Sequence, residues 1–319
     1  MDLFQPGPNL WLQDLFGPGW QGLMSTVSAL GIIWGILLVT GIALWLWGRR
    51  ALYAVLVVVI IEALAKKALA AAFPVDRPSG AEMVRYDIVE GVPSFPSGHV
   101  STATTLWAAL AFLGRIPLWV ALVVGTAVAT TRLYLGAHWL ADVVAGVLLG
   151  LLMAWVGIRG LGGLADRMDD IPRKAWVGVG VTALVLAAAR VAFALGDSGS
   201  AWAATAFIGG AGLALPLERR RGTRSSVSLS TRAAVRRIVV GVGGLIVFFL
   251  GVRTWEAPLE VLGATVFLAT LWCFLGAPLV FDRWPEVFGG ELRAPGDAAA
   301  PAEGSQRRSP SGTPGVSHG

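Results

Sequence analysis

Long apolar runs constrain this chain more than any other feature. Segments such as Ser25–Trp47 and His138–Ile158 hold about 20 residues with few charges, the length an α-helix needs to cross a hydrocarbon core roughly 30 Å thick. In lipid the backbone must satisfy its own polar groups, so runs of this kind become helices. Composition agrees: hydrophobic residues make up 55% of the 319, charged residues 14%, and the mean hydropathy is +0.68. A soluble domain of this size needs far more surface charge. The sequence pI near 10.0 does not call for nucleic acid, because loop arginines that fix membrane topology account for it. The single cysteine, Cys273, lies in an apolar run and excludes an internal disulfide framework. No signal peptide is apparent, since Met1–Asn9 has no lysine or arginine ahead of an apolar run.

The expected fold is therefore all-α, a polytopic transmembrane bundle of about nine spans. Residues 1–24, with Trp11, Phe16 and Trp20 among prolines and glycines, suit an interfacial segment. Five spans follow, near Ser25–Trp47, Ala51–Phe73, Gly98–Leu113, Ile116–Thr131 and His138–Ile158; a polar loop, Pro74–Ser97, separates the second from the third. Four further spans are expected between residues 161 and 281, near Ala175–Leu195, Ala201–Leu217, Ala233–Val252 and Ala257–Phe281. Residues 282–319 turn to Pro, Gly, Ser and Ala and suit a disordered cytoplasmic tail. With the N-terminus outside, 18 of the 25 lysines and arginines fall on inner segments, as the positive-inside rule requires. That arrangement puts the Pro74–Ser97 loop and the Arg132–His138 turn together on the outer side.

Two of the three histidines stand on that side, in phrases dense with polar groups: Pro96-Ser97-Gly98-His99, and Thr131-Arg132, five residues, His138, three residues, Asp142. A third phrase, Arg77-Pro78, lies on the same loop. His138 and Asp142 are four apart, the spacing of one helix face. A carboxylate there orients one ring nitrogen and leaves the other free as a nucleophile. Ser97 and Gly98 precede a helix, whose unpaired N–H groups attract an anion. Arg77 and Arg132 offer forked donors suited to phosphate oxygens. Phosphoryl transfer needs chiefly such positioning, with an acid for the leaving oxygen, a part that suits His99. Glu62 and Lys66, also four apart, read as an intramembrane ion pair. A zinc site built from His99, His138 and Asp142 is the chemical rival, disfavoured because clustered arginines repel a cation.

The three phrases resemble the signature of the type 2 phosphatidic acid phosphatase superfamily, which includes lipid phosphate and polyprenyl-diphosphate phosphatases. Its pattern runs lysine, six residues, Arg-Pro; then Pro-Ser-Gly-His; then Ser-Arg, five residues, His, three residues, Asp. The resemblance implies His138 as nucleophile, Asp142 as its partner and His99 as acid–base, with Arg77, Arg132, Ser97 and Gly98 holding the phosphate. The pattern's lysine falls on Ala70; Lys67 is the nearest lysine and the candidate for its place, with Arg85 a possible substitute. Thr131 replaces the serine and keeps the hydroxyl. The resemblance covers roughly residues 25–160 and says nothing about the last four helices.

The expectation is a membrane lipid phosphatase that works through a phosphohistidine at the outer face of the plasma (inner) membrane, without metal or other cofactor. Its partners would be a lipid phosphate substrate and the bilayer, and no nucleic acid. A lipid phosphotransferase would use the same site with a hydroxyl acceptor. A non-catalytic lipid transporter or scaffold is the alternative from another class, suggested only by the four extra helices.

Overall fold

The computed structural model describes residues 4–87, 92–193, 199–220, 229–253 and 258–289. These form fourteen α-helices, and no strand occurs among the described residues. In chain order they are α1 (Gly7–Phe16), α2 (Gln21–Ser28), α3 (Ile33–Trp47), α4 (Arg49–Ala72), α5 (Gly98–Phe112), α6 (Leu118–Tyr134), α7 (Leu140–Trp155), α8 (Gly162–Met168), α9 (Arg173–Phe193), α10 (Gly199–Arg220), α11 (Thr231–Arg253), α12 (Leu259–Leu271), α13 (Ala277–Arg283) and α14 (Pro285–Phe288). Short π-helical turns continue α7 through Gly160 and join α12 to α13.

Helix runs through the described residues of all nine expected spans, but fewer meet the demands of a full crossing. Leu140–Gly160, Gly199–Arg219, Thr231–Arg253 and Leu259–Arg283 are long and apolar enough. Taking each of two bent pairs as one span would raise the count to six: Pro18–Gly31 with Ile33–Trp47, bent by 56°, and Gly162–Met168 with Arg173–Arg190, bent by 95°. The three that fall short are α4, α5 and α6, and the reasons are physical. The second half of α4 carries Glu62, Lys66 and Lys67, while α5 and α6 have only 15 and 17 residues.

Short α5 lies inside the bundle, packed against α4, α6 and α7. Between helices in lipid there is no hydrophobic drive, so small residues that admit a close approach set the packing. Gly146 and Gly150 do this on α7. A Cβ at Gly150 would stand 2.7 Å from the Ser101 carbonyl oxygen of α5, and one at Gly146 would stand 2.9 Å from that of Ser97. The register of α5 against α7, and hence of His99 against His138, rests on these two contacts.

The C-terminal helices share a core with the N-terminal half, in which Trp45 and Leu52 pack with Leu215 and Phe274. The Trp45 indole donates to the Cys273 carbonyl at 2.8 Å, so Cys273 is a buried packing residue. Charged loops gather at one end of the bundle, where Arg49 pairs with Asp169 at 3.2 Å and Arg50 with Asp166 at 2.7 Å. Helix α4 begins there and, at 24 residues, carries the chain about 36 Å to the end that holds the histidine phrases.

Order runs past Asp282, where the tail was expected to begin. Phe288 packs on Phe281 with ring centroids 5.2 Å apart, and the Arg237 Nε donates to the Phe288 carbonyl at 2.8 Å. The rest of the expected tail lies outside the described residues.

Candidate active site

The turn between α6 and α7 carries His138. Helix α6 ends at Tyr134, Gly136 takes a positive φ of 64°, and α7 starts at Leu140. Two expectations change here. Arg132 belongs to the last turn of α6 rather than to the loop, and His138 precedes α7 rather than opening it. The cause is Asp142, the third residue of α7, whose Oδ2 accepts the Trp139 N–H at 2.9 Å and so fixes the helix start. His138 and Asp142 still meet, Nδ1 to Oδ2 at 3.5 Å, through the turn and not through helical spacing.

The contacts define a tautomer. On one side, Arg77 Nη1 lies 3.3 Å from His138 Nε2. Guanidinium nitrogens only donate, so Nε2 must accept and bears no proton. On the other side, Nδ1 faces the Ser94 hydroxyl at 3.3 Å as well as Asp142. Ser94 Oγ also donates to Asp142 Oδ2 in a short hydrogen bond. The proton therefore sits on Nδ1, pointed at an oxygen pair, and the Nε2 lone pair faces the arginine side. His138 is 1% exposed, and burial pushes its pKa down to about 4, with Arg132 and Arg77 adding to the fall and the Asp142 hydrogen bond opposing it.

The two arginines differ in what they have left to offer. Arg77 is spent largely on backbone: Nε donates to the Val92 carbonyl at 3.1 Å and Nη1 to that of Ala137 at 2.9 Å. It staples the outer loop to the His138 turn. Arg132, 2% exposed, uses Nη1 on the Ser28 hydroxyl at 3.0 Å and on the Asp87 carboxylate at 2.7 Å. Its Nε and Nη2 are buried without a partner, as is the Ser97 hydroxyl. Buried donors of this kind are costly unless something accepts from them, and an anion's oxygens would.

Ser97 stands at the N-cap position of α5 without a side-chain capping bond, and its own N–H donates to the Asp142 carbonyl at 3.0 Å, tying the two helix starts together. His99 follows in the first turn of α5, and the charges that act on it are Arg132, His138, Lys66 and Arg77. The three sequence phrases thus converge on one site. Among the described residues, no group of three His, Cys, Asp or Glu side chains is placed to hold a metal ion.

The lysines sort differently from the sequence expectation. The Lys66 side chain runs beside Gly98: a Cβ there would meet its Cδ at 3.3 Å and its Nζ at 3.6 Å. Nζ also lies 3.2 Å from the Thr102 hydroxyl and 3.2 Å from the Glu62 carboxylate, so the expected ion pair is present and leans on α5. Glu62 in turn accepts from the Ser101 hydroxyl at 2.5 Å. Lys67 is exposed, with no hydrogen bond or ion pair to the site among the described residues. The Arg85 Nε is buried without a partner. Thr131 bonds back to the Val128 carbonyl at 2.7 Å within its own helix.

Sequence reasoning missed Ser94 as the bridge between Nδ1 and Asp142, although it stands only two residues before the Pro96 phrase. It also missed Ser28 and Asp87 on Arg132. Nothing local marks those two, whose pairing depends on how α2 and the outer loop pack.

Comparisons with known proteins bear on the same segment. Residues 47–163 match the family model for the PAP2 superfamily. Over 120 residues the chain is 32% identical to the putative undecaprenyl-diphosphatase YbjG of Escherichia coli (strain K12). That alignment covers 35% of this chain and 59% of the relative, so the chain spans about three-fifths of that protein's length. A transmembrane PAP2-type phosphatidylglycerolphosphate phosphatase from Bacillus subtilis superposes with a TM-score of 0.41 and 23% identity, over 53% of this chain and 86% of that one.

Proposed function

We propose, from the premise that residues 47–163 belong to the PAP2 superfamily, that this integral membrane protein is a lipid phosphatase acting through a phosphohistidine on His138. The observation that carries this reading is the His138 ring, with Nδ1 held toward Ser94 and Asp142 and Nε2 free of a proton beside Arg77. In the first step Nε2 attacks phosphorus, the bond from phosphorus to the lipid oxygen breaks, and His99 gives that oxygen its proton. In the second, His99 takes a proton from water as the water oxygen attacks. The phosphorus–nitrogen bond then breaks and inorganic phosphate leaves. Arg132, Ser97 and the α5 N-terminus at Gly98 hold the equatorial oxygens, and Arg77 fixes the turn and adds charge. The residues that touch the phosphate lie within 25–160, and residues 161–281 brace α3 and α4. The site faces outward from the plasma membrane, as the distribution of loop arginines supports.

The E. coli relative is named for a polyprenyl diphosphate, and we carry that substrate class over as the first to try. Phosphate release by the purified protein is measured against a polyprenyl diphosphate, phosphatidylglycerol phosphate and phosphatidate, with and without EDTA. Release from at least one lipid, unaffected by EDTA and inhibited by vanadate, is expected. No release from any of them, or loss on chelation restored by zinc, removes the reading. Transfer of the phosphate to an added lipid alcohol in place of water would make the protein a phosphotransferase with the same intermediate.

Lys66 and Lys67 give a second test. The phosphate contact first sought at Lys67 falls to Lys66, because Lys66 is the lysine beside Gly98. Lys66→Met is expected to raise KM for the lipid roughly 10-fold or more, the scale of one charge-assisted phosphate contact at about 1.5–3 kcal/mol. Lys67→Met should leave kcat and KM near wild type; the reverse pattern would return the role to Lys67.

A further inference from the structure

We infer that the N-terminal helix α1 is part of the catalytic scaffold and that Asn9 is a positioning residue for His138. This inference rests on the phosphatase reading above. The segment lies outside residues 47–163, and its sequence suggested only an interfacial anchor.

The His138 turn has a supply problem. Between the end of α6 and the start of α7 the chain leaves helical bonding, and its carbonyls need donors from elsewhere. Asn9 is 0% exposed, and its side-chain amide has two N–H groups. One donates to the Leu133 carbonyl and the other to the carbonyl of His138 itself, each at 2.9 Å. The two acceptors bracket the turn, so one rigid amide sets the span between α6 and the nucleophile's backbone. One helical turn further on, Gln13 Nε2 donates to the Tyr134 carbonyl at 2.9 Å and to the Val84 carbonyl of the outer loop at 2.6 Å. Tyr134 answers through its hydroxyl, which donates to the Gly17 carbonyl at the end of α1 at 2.6 Å. Leu12 of the same face is buried with Tyr134, while Leu10, Trp11 and Leu15 are exposed. One face of α1 thus holds the turn and the other is apolar enough to lie in the membrane interface.

A helix needed only for anchoring has no use for a buried amide on the nucleophile's turn and a part-buried one beside it. The Arg77 and Asn9 contacts are complementary: Arg77 holds Ala137 and reaches Nε2, and Asn9 holds the next carbonyl along. Loss of Asn9 frees the His138 backbone while leaving every proposed phosphate contact in place.

Asn9→Asp removes both donors with almost no change in shape, and it is measured on full-length protein with the most active lipid found. We expect kcat and the single-turnover rate of phosphoenzyme formation to fall about 30- to 100-fold, the scale of an ångström-sized misplacement, with KM within about threefold of wild type. A purely structural role would lower the folded fraction and leave kcat per folded molecule intact. Wild-type kcat in folded Asn9→Asp protein overturns the inference and leaves the phosphatase reading standing. Absence of any phosphate release from wild type removes the reading beneath it instead. Should Asn9→Asp not fold, Gln13→Glu carries the same test at the part-buried neighbour, with a roughly 3- to 10-fold fall in the phosphorylation rate expected from a smaller displacement; an unchanged rate there overturns the inference equally.

Discussion

His138→Ala is expected to abolish both the acid-labile phosphoprotein and turnover, with kcat falling by roughly four to six orders of magnitude, as when other covalent nucleophiles are removed. The argument begins with protonation. Burial pushes the His138 pKa down to about 4, so the ring is neutral across the physiological range and needs no base to strip it before attack. The acid limb of kcat/KM should accordingly lie near pH 4, well below the ordinary histidine value of about 6.5. Arg77 lowers this pKa, so Arg77→Gln should move the acid limb upward as well as slow the reaction. Stability follows the same sign. The unfolded chain takes up a proton near pH 6.5 that the folded protein refuses until about pH 4, so stability from this residue is present above 6.5 and lost as pH falls through that window. Asp142→Asn should keep the fold and lose about 10³- to 10⁴-fold in kcat, the cost of a misoriented imidazole. Near-normal turnover by folded His138→Ala protein, or no trapped phosphoprotein in wild type under acid-free quench, would sink the covalent mechanism.

The second large effect separates His99 from His138. Both lie among arginines, and a passive phosphate-holding role for His99 is the alternative to acid–base work. An alkyl phosphate leaves as a poor alkoxide unless protonated, whereas p-nitrophenolate leaves without help. In the rate of phosphoenzyme formation, His99→Ala should therefore lose about 10²- to 10⁴-fold on the alkyl ester, the usual range for a general acid, and far less on p-nitrophenyl phosphate. Equal losses on the two substrates would reduce His99 to a phosphate contact. The same variant should make the phosphoenzyme accumulate on the aryl ester, because activation of water in the second step is lost with it.

Much of the site was legible because its logic is local. The order Ser97, Gly98, His99 declares a helix start with free N–H groups, and Gly98 is the first residue of α5. The described parts of the apolar runs are helical because in lipid a helix satisfies the backbone's polar groups within one segment. Their lengths were less legible. Whether a 15-residue helix such as α5 spans a membrane or sits among its neighbours depends on who packs around it, and the closeness of α7 at Gly150 cannot be read from α5. The four-residue step from His138 to Asp142 was read correctly as a meeting and wrongly as helical, since the helix start was set by the carboxylate's own bond to Trp139.

What the sequence by itself determined is the membrane-helical class and the polar phrases that compose the candidate site, because each depends on residues within a few positions along the chain. What only the tertiary structure decided is which nitrogen of His138 is free, that Lys66 rather than Lys67 lies beside Gly98, and that Asn9 reaches the His138 carbonyl. The last contact joins residues 129 positions apart. The free nitrogen is set by Arg77 from 61 positions away. Hydrogen bonds of that reach form only where packing brings the groups within about 3 Å in the right direction, and no local pattern of residue types carries that distance or that angle.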